Sequence, residues 1–204
     1  FLTHDDHMRA LESKPELLRS CGRPVFATEL RIVDDQGKTL PTGEIGEILA
    51  RGPQVMKGYW KREEATAKTV VDGWLHTGDA GYLDDEGYLY IKDRVKDLVI
   101  SGGENIYPAE VENTLMSHPA IADAAVIGVP DETWGEVPLA VLVAGDQGRI
   151  SLEELTIHCR KTLAGFKVPK HLEYVDMLPR NPSGKILKKE LRASILPKYT
   201  AENA

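Results

Sequence analysis

The feature that most constrains this chain is a change of pattern near residue 95. Residues 22–93 alternate short runs rich in β-branched and aromatic side chains with Asp/Gly clusters. The runs are Ala27 to Val33, Gly46 to Arg51, Gly81 to Leu83 and Tyr88 to Ile91, with Asp34-Asp-Gln-Gly37 and Asp84-Asp-Glu-Gly87 as turns. Such turn chemistry between strand-like runs predicts a small antiparallel sheet or barrel, interrupted by one helix at Arg62 to Val71. Beyond residue 95 strands alternate with amphipathic helices. Pro108 to Ser117 carries Pro in its first turn and places Val111 and Leu115 four apart. Ser151-Leu-Glu-Glu154 reads as a capping box opening a helix with Leu152, Leu155, Cys159 and Leu163 on one side. Strands are expected at Ala122 to Val129, Pro138 to Val143 and His171 to Met177. The expected fold class is α+β: a small antiparallel β-barrel-like subdomain over residues 1–95, then a compact α+β domain over 96–204. The tail from Tyr199 to Ala204 is expected to fray.

Composition matters here mainly for what it excludes. With 204 residues, 42% of them hydrophobic, the chain can bury a core as one large or two small domains. A formal net charge of −7 argues against a general nucleic-acid binder, which needs a basic excess to meet phosphate backbones. Cys21 and Cys159 lack paired spacing, so neither a disulfide framework nor a zinc site is indicated, and a reducing, cytoplasmic setting is the plain expectation. No apolar run approaches the roughly 20 residues that span a bilayer, and the first residues are no secretory signal. His4-Asp-Asp-His7 has a metal-like spacing, but it is read as a mobile chain start with no metal; His76, His118, His158 and His171 share no spacing and receive no catalytic role.

The residues that carry chemistry fall in five places. In Gly73-Trp-Leu-His-Thr-Gly-Asp79 a carboxylate follows a glycine turn, where Asp79 could accept two hydrogen bonds from a vicinal diol; an ordinary turn is the bland alternative. Asp93-Arg-Val-Lys96 sits where the pattern changes, so Lys96 is either a hinge residue or simply a surface lysine. Ser101-Gly-Gly-Glu-Asn-Ile-Tyr-Pro108 lets backbone pass close to a ligand at Gly102 and Gly103, or merely turns. In Leu178-Pro-Arg-Asn-Pro-Ser-Gly-Lys185 a flexible lysine beside Gly184 is suited to meet an anion, whereas Lys188, Lys189 and Arg192 are read as the wet face of a last helix. Gly165-Phe-Lys-Val-Pro-Lys170 joins a ring to cations, a combination suited to adenine with phosphates.

The first four of these motifs, in this order along the chain, resemble the C-terminal part of adenylate-forming acyl-CoA ligases, a superfamily that also contains luciferases and peptide-synthetase adenylation domains. The resemblance implies activation of a carboxylic acid, most simply a fatty acid, by ATP with Mg²⁺ as an acyl-adenylate, followed by transfer to CoA. It gives Asp79 the ribose hydroxyls, helped by Arg94 from the domain junction, and makes Lys96 the hinge. Gly102, Gly103 and Glu104 would line the pantetheine tunnel, and Lys185 would be the catalytic lysine. Phe166 and Lys170 would meet the CoA nucleotide, although Val168 stands where some relatives have Arg; Trp134 is a tunnel contact on the resemblance and a packed ring on its residue type. No ligand for the metal is assigned. The resemblance further implies that the chain begins well inside such an enzyme, without the family's phosphate loop, so that it needs the large N-terminal domain as partner to be active; homodimerisation stays open. Two alternatives remain: an adenylate-former with another acceptor, and a free-standing CoA or nucleotide-binding module without turnover.

Overall fold

The computed structural model describes residues 1–201, packed as two compact units, Phe1–Lys96 and Asp97–Ala204. The first unit begins with helix α1 (His4–Glu12) rather than the mobile segment expected. Its start is a capping box: Thr3 Oγ1 accepts from Asp6 N at 3.1 Å and Asp6 Oδ2 accepts from Thr3 N at 2.8 Å, satisfying two backbone donors reciprocally. Asp6 is buried, and its Oδ1 accepts from the hydroxyl of the equally buried Tyr88 at 2.5 Å. Ala10, Leu17 and Tyr90 complete that small core.

Next come β1 (Glu29–Val33), β2 (Gly46–Arg51), α2 (Glu63–Thr69), β3 (Val70–Val71), β4 (Trp74–Leu83) and β5 (Leu89–Arg94). They form an antiparallel five-stranded half-barrel in the order β1-β2-β4-β3, with β5 also on β4. The expected helix therefore stops short of Val70 and Val71, β-branched residues that pair with Leu75 and Trp74 instead. Strand β4 is much longer than the Gly81 to Leu83 expected. Register shifts at Glu47/Leu49 and Ala80/Gly81 break the alternation that would have shown it, and they carry Thr77-Gly-Asp79 inside a strand.

The second unit holds β6 (Val99–Ser101), β7 (Glu104–Ile106), α3 (Pro108–Met116), β8 (Ile121–Asp131), β9 (Gly135–Ala144), α4 (Leu152–Cys159), β10 (His171–Tyr174) and α5 (Lys188–Ala201). Its sheet runs β10-β9-β6-β7 with β8 on β9; β10 lies parallel to β9 and the other pairs are antiparallel. Alternate residues of β8 feed two cores. Val126 joins Val111, Leu115, Leu155 and Cys159 of α3 and α4, while Ile127 joins Leu191 and Ile195 of α5. Helices on both faces explain why β8 and β9 read as nearly unbroken apolar runs.

The Ser151 capping box forms as expected, but α4 ends at Cys159, leaving Leu152 38% exposed and Leu163 buried beyond the helix. Burial pushes the Cys159 thiol up to about 11. Tyr199 to Ala201 belong to α5 rather than to a frayed tail, and the rest of that expected tail, residues 202–204, lies outside the described residues. Among the described residues no helix is long and apolar enough to cross a membrane.

Candidate active site

In the first unit Asp79 on β4 stands directly across from Arg94 on β5. Arg94 Nε lies 2.8 Å from Asp79 Oδ1 in an ion pair and donates to Gly78 O at 3.3 Å, so the two predicted partners are brought together. Asp79 Oδ2 accepts no hydrogen bond among the described residues. The strand around it is braced by a residue that no motif signals. Glu47, at the bulge in β2, accepts from Gly78 N through Oε1 at 3.2 Å and places Oε2 2.9 Å from His76 Nδ1. Thr77 Oγ1 donates to Ile48 O at 2.7 Å and accepts from Asp79 N at 3.1 Å. Gly78 has φ of +69°, the left-handed conformation glycine adopts without strain. Lys96 is exposed, in the 3₁₀ turn Val95–Asp97.

In the second unit Gly102 and Gly103 form the tip of the β6–β7 hairpin, with Glu104 exposed beside them. Gly102 N donates to Trp134 O at 2.8 Å, and a Cβ on Gly102 would fall 2.7 Å from Trp134 Cε3. With φ of +60° as well, no other residue fits there without displacing the indole. Trp134 is held at the β8–β9 turn, where Asp131 Oδ1 accepts from both Thr133 N and Trp134 N at 2.9 Å. The packed-ring reading of Trp134 is overturned, since the residue is 53% exposed and offers an aromatic surface beside the glycine hairpin.

Lys185 ends an exposed turn over residues 181–185 and forms no ion pair among the described residues. The reading of Lys188 and Arg192 as a wet helix face fails. Lys188 Nζ pairs with Glu112 at 2.7 Å with both side chains largely buried, and Glu112 Oε1 also accepts from Val126 N at 2.8 Å. Arg192 Nη1 donates to Asp97 Oδ1 at 3.2 Å. The helix after Lys185 is thus fastened at two points to the start of the second unit; Lys189 alone is exposed as expected. Phe166 is 40% exposed in the 3₁₀ turn Gly165–Lys167, with Lys167 Nζ 5.8 Å from its ring centroid while pairing with Glu110. Lys170 is exposed, its backbone N donating to Pro138 O at 2.8 Å. Val168 is buried in the core with α3 and α4, so an apolar side chain is what this position accommodates.

Residues 3–60 match the family model for AMP-binding enzymes, and residues 110–185 match that for the AMP-binding enzyme C-terminal domain, in this order. The chain belongs to the adenylate-forming superfamily. Similar relatives in that superfamily include the 2-succinylbenzoate–CoA ligase of Bacillus cytotoxicus, 54% identical over 85% of this chain and 35% of its own length. The feruloyl-CoA synthase of an Amycolatopsis species is 54% identical over 87% of this chain and 36% of its own. The solved structure of o-succinylbenzoate CoA synthetase from Bacillus subtilis, in complex with the acyl-adenylate intermediate OSB-AMP, superposes with a TM-score of 0.81 at 48% identity, covering 91% of this chain and 37% of that one. The chain thus spans about a third of the length of the curated relatives it matches. Among the described residues, no group of three or more His, Cys, Asp or Glu side chains could hold a metal ion in this superfamily member.

Proposed function

We propose that this chain serves an AMP-forming acid–CoA ligase, in which a carboxylic acid attacks the α-phosphate of ATP to give an acyl-adenylate and the thiol of CoA then displaces AMP. The observation that carries the reading is the state of two charged side chains: the Asp79 carboxylate on β4, whose Oδ2 accepts no hydrogen bond among the described residues, and Lys185 on its turn, which forms no ion pair among them. Asp79, held by Arg94, would accept from the two ribose hydroxyls of the nucleotide. Lys185 would bridge the attacking carboxylate and the α-phosphate, offsetting their repulsion and stabilising the charge that builds in the transition state. Trp134 with Gly102, Gly103 and Glu104 would flank the pantetheine arm of CoA, and Phe166 with Lys170 its nucleotide. Lys96 would be the pivot between the two steps. Magnesium would arrive with ATP, and no residue of this chain is assigned to it.

For the acid, the relatives named for 2-succinylbenzoate and ferulate support an aryl-bearing carboxylate better than the fatty acid first expected. The test uses an enzyme of full family length that carries this chain, offered 2-succinylbenzoate, ferulate and a fatty acid in turn. Lys185→Ala is expected to slow adenylation, read by ATP–pyrophosphate exchange, roughly 10²- to 10³-fold. Thioester formation from preformed acyl-adenylate should stay within about threefold of the parent, because the lysine is asked to act in one step only. Equal losses in both half-reactions would contradict the assignment. An adenylate that forms but is never passed to CoA would point to another acceptor.

A further inference from the structure

We propose that Asn181 is a positioning residue that fixes the backbone of the Lys185 turn, so that the lysine is delivered from one geometry; this rests on the reading of Lys185 given above. Asn181 Oδ1 accepts from Ser183 N at 3.1 Å, Ser183 Oγ at 2.8 Å and Lys185 N at 2.8 Å. Backbone bonds close the same turn, from Gly184 N to Asn181 O and from Asn181 N to Lys185 O, both at 2.9 Å. The neighbouring Arg180 anchors it: Nη1 donates to Gly184 O at 2.5 Å, and Nη2 to Asp123 Oδ2 on strand β8 at 2.6 Å. Gly184, at φ of +84°, supplies the left-handed residue that lets the chain return.

None of these five residues joins an apolar core cluster among the described residues. Pro182, Ser183, Gly184 and Lys185 are all exposed, so the shape of the turn depends on polar contacts centred on one side-chain oxygen. In open water such contacts add little to global stability, because solvent replaces them readily. Their effect is local order. They fix the lysine Cα while leaving its four-carbon stem free, so the ammonium starts its approach within a small volume, and a cation that acts by placement is sensitive to shifts of about 1 Å.

The experiment uses the enzyme of full family length with Asn181→Ala, Asn181→Asp and Lys185→Ala, reading single-turnover adenylation, the KM for ATP, thioester formation from preformed adenylate, and hydrogen exchange at the Ser183 and Lys185 amides. Asn181→Ala is expected to slow adenylation roughly 10- to 100-fold with the KM for ATP and the second half-reaction unchanged. Both amides should exchange faster. Asn181→Asp retains the acceptor oxygen and should recover most of the rate and of the protection. The proposal is overturned if Asn181→Ala adenylates at the parental rate while Lys185→Ala is crippled, or if both half-reactions fall together, as for a merely structural residue. Should Lys185→Ala adenylate normally, the functional reading fails and takes the catalytic role of Asn181 with it; the amide exchange then reports separately whether the oxygen orders the turn.

Discussion

Asp79 and Lys185 sit in backbone built to opposite ends, one inside a strand and the other on a turn. Asp79 is set into strand β4, its carboxylate paired with Arg94 at 2.8 Å and its backbone braced by Glu47 and by the Thr77 hydroxyl. The Lys185 turn stands in solvent, its backbone ordered by Asn181 and its ammonium without a carboxylate partner among the described residues. A group that holds a substrate through a whole cycle gains from being locked, because any freedom it retains must be lost at each binding event. A group that acts in one step gains from staying unpaired, since a resident carboxylate would have to be displaced before the reacting anions could use its charge. On the proposed reading, the difference would separate the part of the site that holds from the part that visits.

The sharpest way to break that comparison is at Lys96. Proline there would fix φ near −65° and push Val95 towards extended conformations, restricting the rotation that the holding-and-visiting reading requires. In the enzyme of full family length, one half-reaction should fall about 10²-fold or more while the other stays near normal. Lys96→Ala, which removes the charge and keeps the backbone free, should be mild in both. A folded Lys96→Pro enzyme that runs both half-reactions at parental rates would mean that Asp79 and Lys185 do not alternate about this residue.

Much of the fold was legible because the pattern that specifies it is local. The Ser151 box, the first-turn proline at Pro108 and the apolar runs of β8 and β9 each occupy consecutive residues, and each forms. What escaped depends on partners far away in sequence. The long strand β4 is hidden by bulges, which shift the side-chain period where alternation would have shown it. Helix α1 carries its own signal in Thr3 and Asp6, but its burial depends on Tyr88, 82 positions from Asp6. In the candidate site the motifs pointed to Asp79, Arg94 and Lys185, whereas the residues that brace them did not stand out. Glu47 looks like any surface glutamate until the sheet brings Gly78 and His76 to it. Lys188 looks solvated until Glu112 arrives across the fold.

Lys185 and Lys188 allow a second test, three residues apart on one chain. The Lys188–Glu112 pair leaves only 11% and 18% of the two side chains exposed, so Lys188→Ala strands a carboxylate that keeps Val126 N as a hydrogen-bond donor but loses its counter-ion. The expected cost is about 2 kcal/mol, less than for a fully enclosed pair because water reaches both groups. Urea unfolding of the second unit should show it. The double change Glu112→Gln with Lys188→Met should recover much of the loss, while Lys185→Ala should change the unfolding free energy by no more than about 0.5 kcal/mol. If Lys185→Ala proved as destabilising as Lys188→Ala, the exposed lysine would be a structural residue and the contrast between Asp79 and Lys185 would lose its chemical half.

The smallest expected effect separates the two units by acid. Hydrogen bonding from the Tyr88 hydroxyl, together with the Thr3 cap, holds the Asp6 carboxyl down at about 2 from an ordinary value of 3.8. Arg9 and Lys14 hold Glu86 at about 2 from 4.5. A carboxylate depressed in the folded state contributes stability that is fully present above its unfolded value and is lost as pH falls through its folded one. The first unit should therefore lose stability from about pH 5 down to about pH 2 as these groups are protonated. In the second unit Glu154 is lowered by its bonds to Ser151, which predicts a shallower decline. Urea midpoints followed through Trp74 for the first unit and Trp134 for the second should diverge as the pH is lowered, the first falling further. Tyr88→Phe removes the largest influence on Asp6, so it should lower the first unit's midpoint near pH 6 and flatten its acid dependence, leaving the second unit unchanged. Parallel acid dependence of both tryptophan signals, unaltered by Tyr88→Phe, would show that the Asp6–Tyr88 contact does not set the acid stability of the first unit.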